Sequence, residues 1–248
     1  MIHDYEIIES IGEGSYGKVY LGLLNGNKYT IKEVEVNDTK TLIFYMNEVN
    51  VLSYLKLLVD HFNIGTKKYI VYNFINGDNL WNLRYDIKSW TEIFIQISKV
   101  IKNLHDLGIS HNDIKPQNFI SNDSGVYLID YSHCCTSKQS EILLCKTDYP
   151  RGAKIFAAPE YYINQNFNHF LSDIYSIGVT FYVCISKTLP YFGNSNLIDQ
   201  IIDTNTYPEP LPDTIVPILN QLIFKMMQKN PKHRPSLNTV ISILQSLK

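Results

Sequence analysis

Polar side chains cluster in one short segment of this chain, residues 111–130. Asp113, Lys115 and Asn118 follow one another closely, and Asp130 comes directly after a mainly apolar run of four residues. Such a run indicates a buried strand, so Asp130 should lie where that strand ends and a loop begins. Clustered polar groups cost free energy in a fold unless a ligand satisfies them. The segment therefore predicts a ligand site on a loop followed by a short hairpin.

The residue types in this segment suit the chemistry of a nucleotide and its metal ion. Asn118 and Asp130 offer hard oxygen ligands of the kind that Mg²⁺ prefers. Lys115 offers positive charge to a phosphoryl group, and Asp113 can orient a hydroxyl nucleophile. We therefore expect a phosphoryl-transfer site here.

The composition limits the classes of protein to consider. The chain has 248 residues, of which 45% are hydrophobic, so it can bury a sizeable core in one or two domains. A net charge of −2 argues against a broad nucleic-acid or anionic-membrane surface, and we expect no nucleic-acid partner. No signal peptide and no apolar run long enough to span a membrane are visible. The four cysteines lack metal-site spacing, so reduced thiols are expected. The absence of a signal peptide and of a spanning segment favours a cytoplasmic location, with the nucleus as an alternative.

The first third of the chain is predicted to be rich in strands. Residues 5–36 alternate apolar and polar side chains around two turn signals, which indicates antiparallel hairpins. The first turn contains Gly12, Gly14 and Gly17, and glycines let backbone N–H groups approach phosphate oxygens closely. Strand residues follow, whereas a dinucleotide-binding fold would place a helix there. Taken alone, the stretch is also compatible with an ordinary glycine-rich turn.

Two helices are predicted from apolar spacing. Val51, Leu52 and Leu55 indicate a helix at about 40–55. A longer amphipathic helix is expected over 90–107, where four apolar residues share one face and a glycine follows. That helix should support the polar segment that comes after it.

Taken in order, the motifs of the chain resemble those of the eukaryotic-type protein kinase family, in its serine/threonine branch. The catalytic-loop pattern H-R-D-x-K-P-x-N corresponds to residues 111–118, and the metal-binding pattern D-F-G corresponds to 130–132. The patterns A-P-E and S-D-x-W-S-x-G correspond to 158–160 and 172–178, and Arg234 precedes the last helix. The resemblance extends over essentially the whole chain.

The resemblance implies an α+β fold with two lobes. The N-lobe would be a small antiparallel sheet with one main helix, and the C-lobe would be larger and mainly helical. We expect a single protein kinase catalytic domain over 1–248, with the N-lobe and hinge at 1–75 and the C-lobe at 76–248. The family also pairs the glutamate of A-P-E with the late arginine, here Glu160 with Arg234, in a bidentate bridge.

The implied activity is transfer of the γ-phosphoryl group of ATP to a serine or threonine hydroxyl of a protein substrate, assisted by Mg²⁺ or, as an alternative, Mn²⁺. The catalytic residues would be Asp113, Lys115 and Lys32, and the metal ligands would be Asn118 and Asp130. The residues implied to bind ATP are Ile11, Gly12, Gly14, Gly17, Val19, Thr30, Lys32, Glu48, Tyr72, Asn73, Ile75 and Ile120. Glu48 is chosen as the ion-pair partner of Lys32 because apolar residues follow it at helical offsets. The sequence identifies no regulatory partner.

Two alternatives stand beside this interpretation. One is a pseudokinase, a binding module that scaffolds partners, although such proteins typically lack equivalents of Lys32, Asp113 or Asp130. The other is a kinase of small molecules, a class that generally lacks the A-P-E and S-D-x-W-S-x-G patterns. The presence of all these residues favours a protein kinase.

Three of the departures from the family pattern bear on activity. Asn112 replaces an arginine that in many relatives receives an activation-loop phosphate, so activity without that phosphorylation is expected. Arg151 is the only arginine between the metal-binding turn and the A-P-E pattern. Ser132 replaces a glycine and should restrict the backbone there without abolishing metal binding. Ala153 replaces a threonine common in serine/threonine kinases.

Overall fold

The computed structural model describes residues 1–14, 17–136, 152–163, 167–191, 196–203, 205–212 and 215–248. These residues belong to two compact units. Of the described residues, the first unit contains 1–76 and 130–134, and the second contains 77–129, 135–136 and those from 152 onward. Arg151 therefore lies outside the described residues, and so do Ser15 and Tyr16 of the glycine-rich stretch.

The first unit is an antiparallel sheet with one helix, as the alternating pattern predicted. Its strands lie in the order β1-β2-β3-β5-β4. Inward-facing side chains such as Ile31 and Val71 are fully buried, which is what an alternating strand provides when one face covers a core. The elements are β1 Glu6–Gly14, β2 Gly17–Leu24, β3 Asn27–Glu35, α1 Thr39–Tyr54, β4 Leu58–Ile64 and β5 Lys67–Asn73.

Helix α1 begins where a side chain satisfies its first free N–H groups. The Asp38 carboxylate accepts hydrogen bonds from the backbone N–H and the hydroxyl of Thr41, both at 2.7 Å. The helix thus lies within one residue of the predicted bounds at each end. Its inner face presents Glu48, which is 1% exposed, to the interior of the unit.

The second unit is mainly helical and carries short strands around the polar segment. Strands β6, β8 and β9 form one small sheet, and β7 pairs with β10. Its helices are α2 Ile87–Asp106, α3 Glu160–Ile163, α4 His169–Ser186, α5 Leu197–Ile202, α6 Pro217–Met226 and α7 Leu237–Gln245. Its strands are β6 Asp78–Asn79, β7 Ile109–Ser110, β8 Phe119–Asn122, β9 Gly125–Leu128 and β10 Cys135–Thr136.

Helix α2 starts three residues earlier than predicted. The side chain of Asp86 accepts a 2.7 Å hydrogen bond from the N–H of Ser89 and so caps the helix before its apolar face begins. The predicted face is buried, and the helix ends before Gly108, whose φ of +79° lies in the left-handed region. Helix α7 begins as predicted, with Ser236 as its N-cap.

Helix α4 forms the centre of the second unit. Thirteen of its eighteen residues are buried, including Asp173, which faces the catalytic-loop segment.

Among the described helices, none is long and apolar enough to cross a membrane.

Candidate active site

Lys32, Glu48 and Asp130 form one buried cluster in the first unit. The ammonium of Lys32 donates to Oε2 of Glu48 at 2.7 Å and to Oδ1 of Asp130 at 2.9 Å. Strand β3 presents the lysine, helix α1 presents Glu48, and Asp130 follows strand β9 in the chain. The predicted ion pair is therefore present, and the predicted metal ligand Asp130 shares the same lysine.

The charges of this cluster do not balance, because one ammonium faces two carboxylates. Burial raises the pKa of Glu48 to about 7, and the neighbouring Asp130 adds to this rise against the lowering effect of Lys32. Burial alone would lower the pKa of Lys32, but the two carboxylates raise it above its ordinary value. The pKa of Asp130 is held well below its ordinary value, since Lys32 outweighs the effect of burial. At neutral pH Glu48 is therefore partly protonated, and the full negative charge of Asp130 is paired with Lys32.

Ser132 is hydrogen-bonded to one oxygen of the Asp130 carboxylate. The hydroxyl of Ser132 donates to Oδ1 of Asp130 at 2.8 Å, and its backbone N–H approaches the same atom at 3.4 Å. The ring of His133 lies 2.9 Å from the Ser132 hydroxyl and packs against Phe44 of α1, with ring centroids 4.6 Å apart. Oδ1 is therefore saturated, whereas Oδ2 has no hydrogen-bond partner among the described residues. One oxygen of Asp130 is left for another ligand.

The predicted catalytic residues of the second unit also lie together. Asp113 is 4% exposed, and its Oδ2 accepts hydrogen bonds from Lys115 at 2.7 Å and from Asn118 at 3.1 Å. Its Oδ1 accepts from the backbone N–H of Ala153 at 2.7 Å. The residue that replaces the family's threonine thus contacts Asp113 through its main chain. Sequence reasoning did not find this contact.

Asn118 is oriented by its amide nitrogen, which leaves its amide oxygen free. Besides Oδ2 of Asp113, the nitrogen donates to the Asp113 carbonyl at 2.8 Å. Within the described part of the chain, Oδ1 of Asn118 has no hydrogen-bond partner. The Asn118 carbonyl accepts from the N–H of Ile129 at 2.9 Å, across the β8–β9 hairpin. Asp130 is the next residue of the chain after Ile129.

Helix α4 holds the catalytic loop through Asp173. Its carboxylate accepts hydrogen bonds from the backbone N–H groups of His111 and Asn112, at 2.8 and 2.9 Å. The ring of His105 lies 2.8 Å from the same carboxylate. His111 is fully buried and accepts at Nδ1 from the N–H of Asp113 at 3.3 Å.

Asn112 is bonded within the second unit. Its φ is +63°, in the left-handed region that asparagine tolerates better than most residues. Its side-chain nitrogen donates to the hydroxyl of Ser110 at 3.2 Å, and its oxygen lies 2.8 Å from the ring of His169. Ser110 and His169 therefore engage the amide at the position where many relatives carry a phosphate-binding arginine.

The structure places the predicted nucleotide contacts mostly in the first unit. Val19 lies opposite Lys32 in the β2–β3 pair, and Thr30 lies opposite Tyr72 in the β3–β5 pair. A Cβ at Gly17 would lie 2.0 Å from a backbone oxygen of β3, so this position requires glycine. The other predicted contacts of the first unit lie on β1, at the end of β5 or just after it: Ile11, Gly12, Gly14, Asn73 and Ile75. Ile120 lies on β8 of the second unit.

Arg234 and Glu160 form the predicted bidentate bridge. Both guanidinium nitrogens reach the carboxylate, at 2.6 and 2.7 Å, and the arginine side chain is fully buried. The remaining N–H groups donate to backbone carbonyls, which are those of Leu171, Gln228 and Lys229. The bridge ties α3 to the turn before α7.

The expectation of reduced thiols holds for two described cysteines and fails for a third. Cys134 and Cys184 are free and buried. Cys135 is disulfide-bonded. Cysteine spacing carried no signal for this, because a disulfide depends on which loops the fold brings together.

Comparison with known proteins agrees with this geometry. The protein kinase domain model matches residues 5–244. Serine/threonine-protein kinase Nek1 of Mus musculus is 30% identical over 96% of this chain, and the Dictyostelium discoideum protein named "Probable serine/threonine-protein kinase nek3" is 31% identical over 96%. This chain spans 21% of the length of the mouse protein and 23% of the other. Because the domain model covers nearly all of its residues, the chain belongs to the protein kinase domain family.

Proposed function

We propose that this chain is an active serine/threonine protein kinase that transfers the γ-phosphoryl group of ATP to a protein hydroxyl. The observation that carries the proposal is the assembled cluster of Lys32, Glu48 and Asp130. A buried lysine held between two carboxylates is positioned to meet phosphate oxygens, and such pairing is what kinases of this family require. The family implies ATP and a divalent metal as partners of this cluster.

The nucleotide would bind along the strands of the first unit. By the family resemblance, the glycine-rich stretch with Gly12, Gly14 and Gly17 would let backbone N–H groups approach phosphate oxygens, and Lys32 would supply the positive charge. Thr30, which pairs with Tyr72 across the sheet, would lie beside the adenine. The backbone at Asn73 and Ile75 would form hydrogen bonds with the edge of the base. The bulky Tyr72 would close the space behind the base.

We propose, from the family resemblance, that Asp130 and Asn118 each supply an oxygen ligand to a divalent metal. Oδ2 of Asp130 and Oδ1 of Asn118 are hard ligands of the kind that such a metal prefers. We propose Mg²⁺, with Mn²⁺ as the alternative, because Mg²⁺ is commonly bound by one or two side chains together with phosphates. When bound, the metal neutralises charge on the transferring phosphoryl group. Ser132 and Lys32 hold Oδ1 of Asp130, and so orient Oδ2.

Asp113 would receive the proton of the acceptor hydroxyl. As the hydroxyl oxygen forms its bond to the γ-phosphorus, the bond from that phosphorus to the bridging β–γ oxygen breaks and ADP leaves. The hydroxyl proton passes to the carboxylate of Asp113. Lys115, 2.7 Å from this carboxylate, supplies positive charge beside the transferring group and, by the family resemblance, favours serine and threonine acceptors over tyrosine.

The alternatives have less support. The residues whose loss marks pseudokinases, Lys32, Asp113 and Asp130, are present, and each has the hydrogen bonds described above. The Glu160–Arg234 bridge and the Asp173 contacts are features that kinases of small molecules generally lack. We also propose that the kinase acts in the cytoplasm, because its nucleotide substrate is abundant there.

A radiolabelled ATP assay with a generic protein substrate tests this function. Wild-type protein should transfer label to serine or threonine, and Asp113→Asn and Lys32→Met should each lose most of that transfer. Lys88→Met is the matched control for the lysine exchange, because Lys88 is exposed and lies outside the cluster. Binding of ATP without any transfer by the folded wild-type protein would favour the pseudokinase instead.

A further inference from the structure

A small pocket in the second unit brings two cations together. It has a volume of about 60 Å³, enough for several water molecules and so for a carboxylate group. Arg84 and Lys187 are both part of its lining. Each donates a hydrogen bond to the same atom, the carbonyl oxygen of Leu83, at 2.9 and 2.6 Å. The two nitrogens therefore lie no farther apart than the sum of these distances.

No carboxylate neutralises this pair within the described residues. None of the seven residues that line the pocket is acidic. The hydrogen bonds of the Arg84 guanidinium go to the carbonyls of Trp81 and Leu83. The nearest acidic residue in sequence, Asp86, caps helix α2 by accepting from Ser89. Two like charges held near one oxygen repel each other, and a bound anion would relieve that repulsion.

The surroundings of Lys187 agree with a repulsion between the two cations. Burial lowers the pKa of Lys187; Cys184 opposes this, and the neighbouring Arg84 contributes to the lowering. Its backbone has a φ of +60°, and its ammonium lies 4.8 Å from the centre of the Trp90 ring. The ammonium is thus held by the Leu83 carbonyl and by an aromatic face.

The position of the pocket indicates what the anion belongs to. Pro116, three residues after Asp113 in the catalytic loop, forms one part of its wall. Trp81, which is 45% exposed, forms another. Leu80, Val183 and Cys184 supply an apolar floor. A pocket with an apolar floor, an exposed tryptophan and two cations beside the catalytic loop suits a side chain of the acceptor polypeptide.

We propose that this pocket binds an anionic side chain of the protein substrate, close in sequence to the serine or threonine that is phosphorylated. This inference rests on the proposed kinase function, because that function places the acceptor polypeptide beside the pocket. The preference for an anion rests on Arg84 and Lys187. A carboxylate and a phosphorylated serine share the required chemistry. The kinase would therefore select acceptor sites with a negative charge near the target hydroxyl, and discriminate against sites with a basic residue in the same place.

Peptide kinetics test the selection. One serine peptide with alanine flanks is compared with versions that carry Glu, phosphoserine or Lys at each of the five positions on either side. At one position or more, Glu or phosphoserine should raise kcat/KM about tenfold, the effect of one good charge-assisted contact. The ratio of acidic to neutral peptide should fall towards one in Arg84→Gln, return in Arg84→Lys, and persist in the matched control Lys88→Gln. A preference for Lys, or the same ratio in Arg84→Gln as in wild type, would overturn the inference.

A binding measurement separates this inference from the kinase function. A fluorescent acidic peptide with alanine in place of serine is titrated into wild type, Arg84→Gln and Lys88→Gln, and anisotropy is recorded. Wild type and Lys88→Gln should bind alike, and Arg84→Gln should bind about tenfold more weakly. A protein that transfers no phosphate but shows this binding pattern would refute the kinase function and support the pocket. Equal binding by all three proteins would refute the pocket, whatever the activity.

Discussion

The backbone N–H of Ala153 donates a 2.7 Å hydrogen bond to Oδ1 of Asp113. Together with Lys115 and Asn118, this bond accounts for both oxygens of the carboxylate, so the side chain has one defined orientation. The donor is a main-chain group, and its position depends on the backbone at Gly152. Gly152 has a φ of +69°, and a Cβ there would lie 2.3 Å from the carbonyl oxygen of Asn112.

Gly152→Ala is therefore expected to misplace the Ala153 N–H and to lower kcat by about tenfold or more, because small displacements near reacting groups are costly. Steady-state kinetics with ATP and a serine peptide measure the effect. Gly26→Ala is the control: Gly26 also has a positive φ, +78°, but its added Cβ would meet nothing within 4 Å. An equal loss of kcat in both variants would show that backbone strain at a positive φ lowers kcat, and that the hydrogen bond from Ala153 to Asp113 does not account for the loss.

Ser132→Gly is expected to weaken metal binding. The exchange removes the hydroxyl that holds Oδ1 of Asp130, and a hydrogen bond to a charged group is worth about 1.5–3 kcal/mol. The Mg²⁺ concentration for half-maximal activity should rise about tenfold. Ser132→Ala removes the same hydroxyl without adding glycine flexibility, so it serves as the matched variant. An unchanged Mg²⁺ dependence in both would mean that Ser132 does not orient the carboxylate.

Glu48→Gln is expected to change how stability depends on pH. Since the pKa of Glu48 in the folded protein is raised to about 7 from 4.5, its protonated form is favoured by folding. Its contribution to stability is therefore fully present below pH 4.5 and is lost as the pH rises through 7, by at most about 3 kcal/mol. Urea unfolding at pH 5 and pH 8 should show a smaller fall for Glu48→Gln than for wild type. Parallel pH profiles of the two proteins would contradict this assignment.

Arg234→Lys is expected to destabilise the second unit by about 2–3 kcal/mol, because lysine cannot form the bidentate bridge and leaves buried acceptors unsatisfied. Denaturant unfolding measures the change. Arg84→Lys is the same exchange at an exposed arginine and should shift stability by no more than about 0.5 kcal/mol. Similar effects at the two positions would show that the Glu160 bridge contributes little.

Phosphatase treatment of bacterially expressed protein should leave the rate unchanged. Asn112 is bonded to Ser110 and His169, and it replaces the arginine that would receive an activation-loop phosphate. The measurement is the initial rate on a serine peptide before and after treatment, with mass spectrometry to confirm removal of phosphate. A large fall in rate after treatment would contradict the prediction.

The sequence predicted those parts of the fold and site that depend on residue type at a fixed spacing. Alternation predicted the first sheet, and helical spacing identified Glu48 as the partner of Lys32. The start of α2 was predicted three residues late because apolar periodicity begins after the Asp86 cap. Capping depends on a single side chain, which periodicity does not detect.

Several contacts could not be predicted because they join residues that are far apart in the sequence. Some of them use backbone N–H or carbonyl groups, which do not distinguish one residue type from another. The bond from Ala153 to Asp113 uses a backbone N–H, and the two cations of the pocket meet at a backbone carbonyl 104 residues from Lys187. The anchoring of Asn112 by His169 spans 57 residues. Local sequence patterns carry no information about such encounters, which follow from tertiary packing.

Arg234 uses every one of its side-chain N–H directions on a carboxylate or a carbonyl. Lysine offers a single nitrogen and could satisfy only part of that set. In a chain with just three arginines, this is a site where evolutionary drift from arginine to lysine should be blocked, even while the exposed basic positions around it remain free to change.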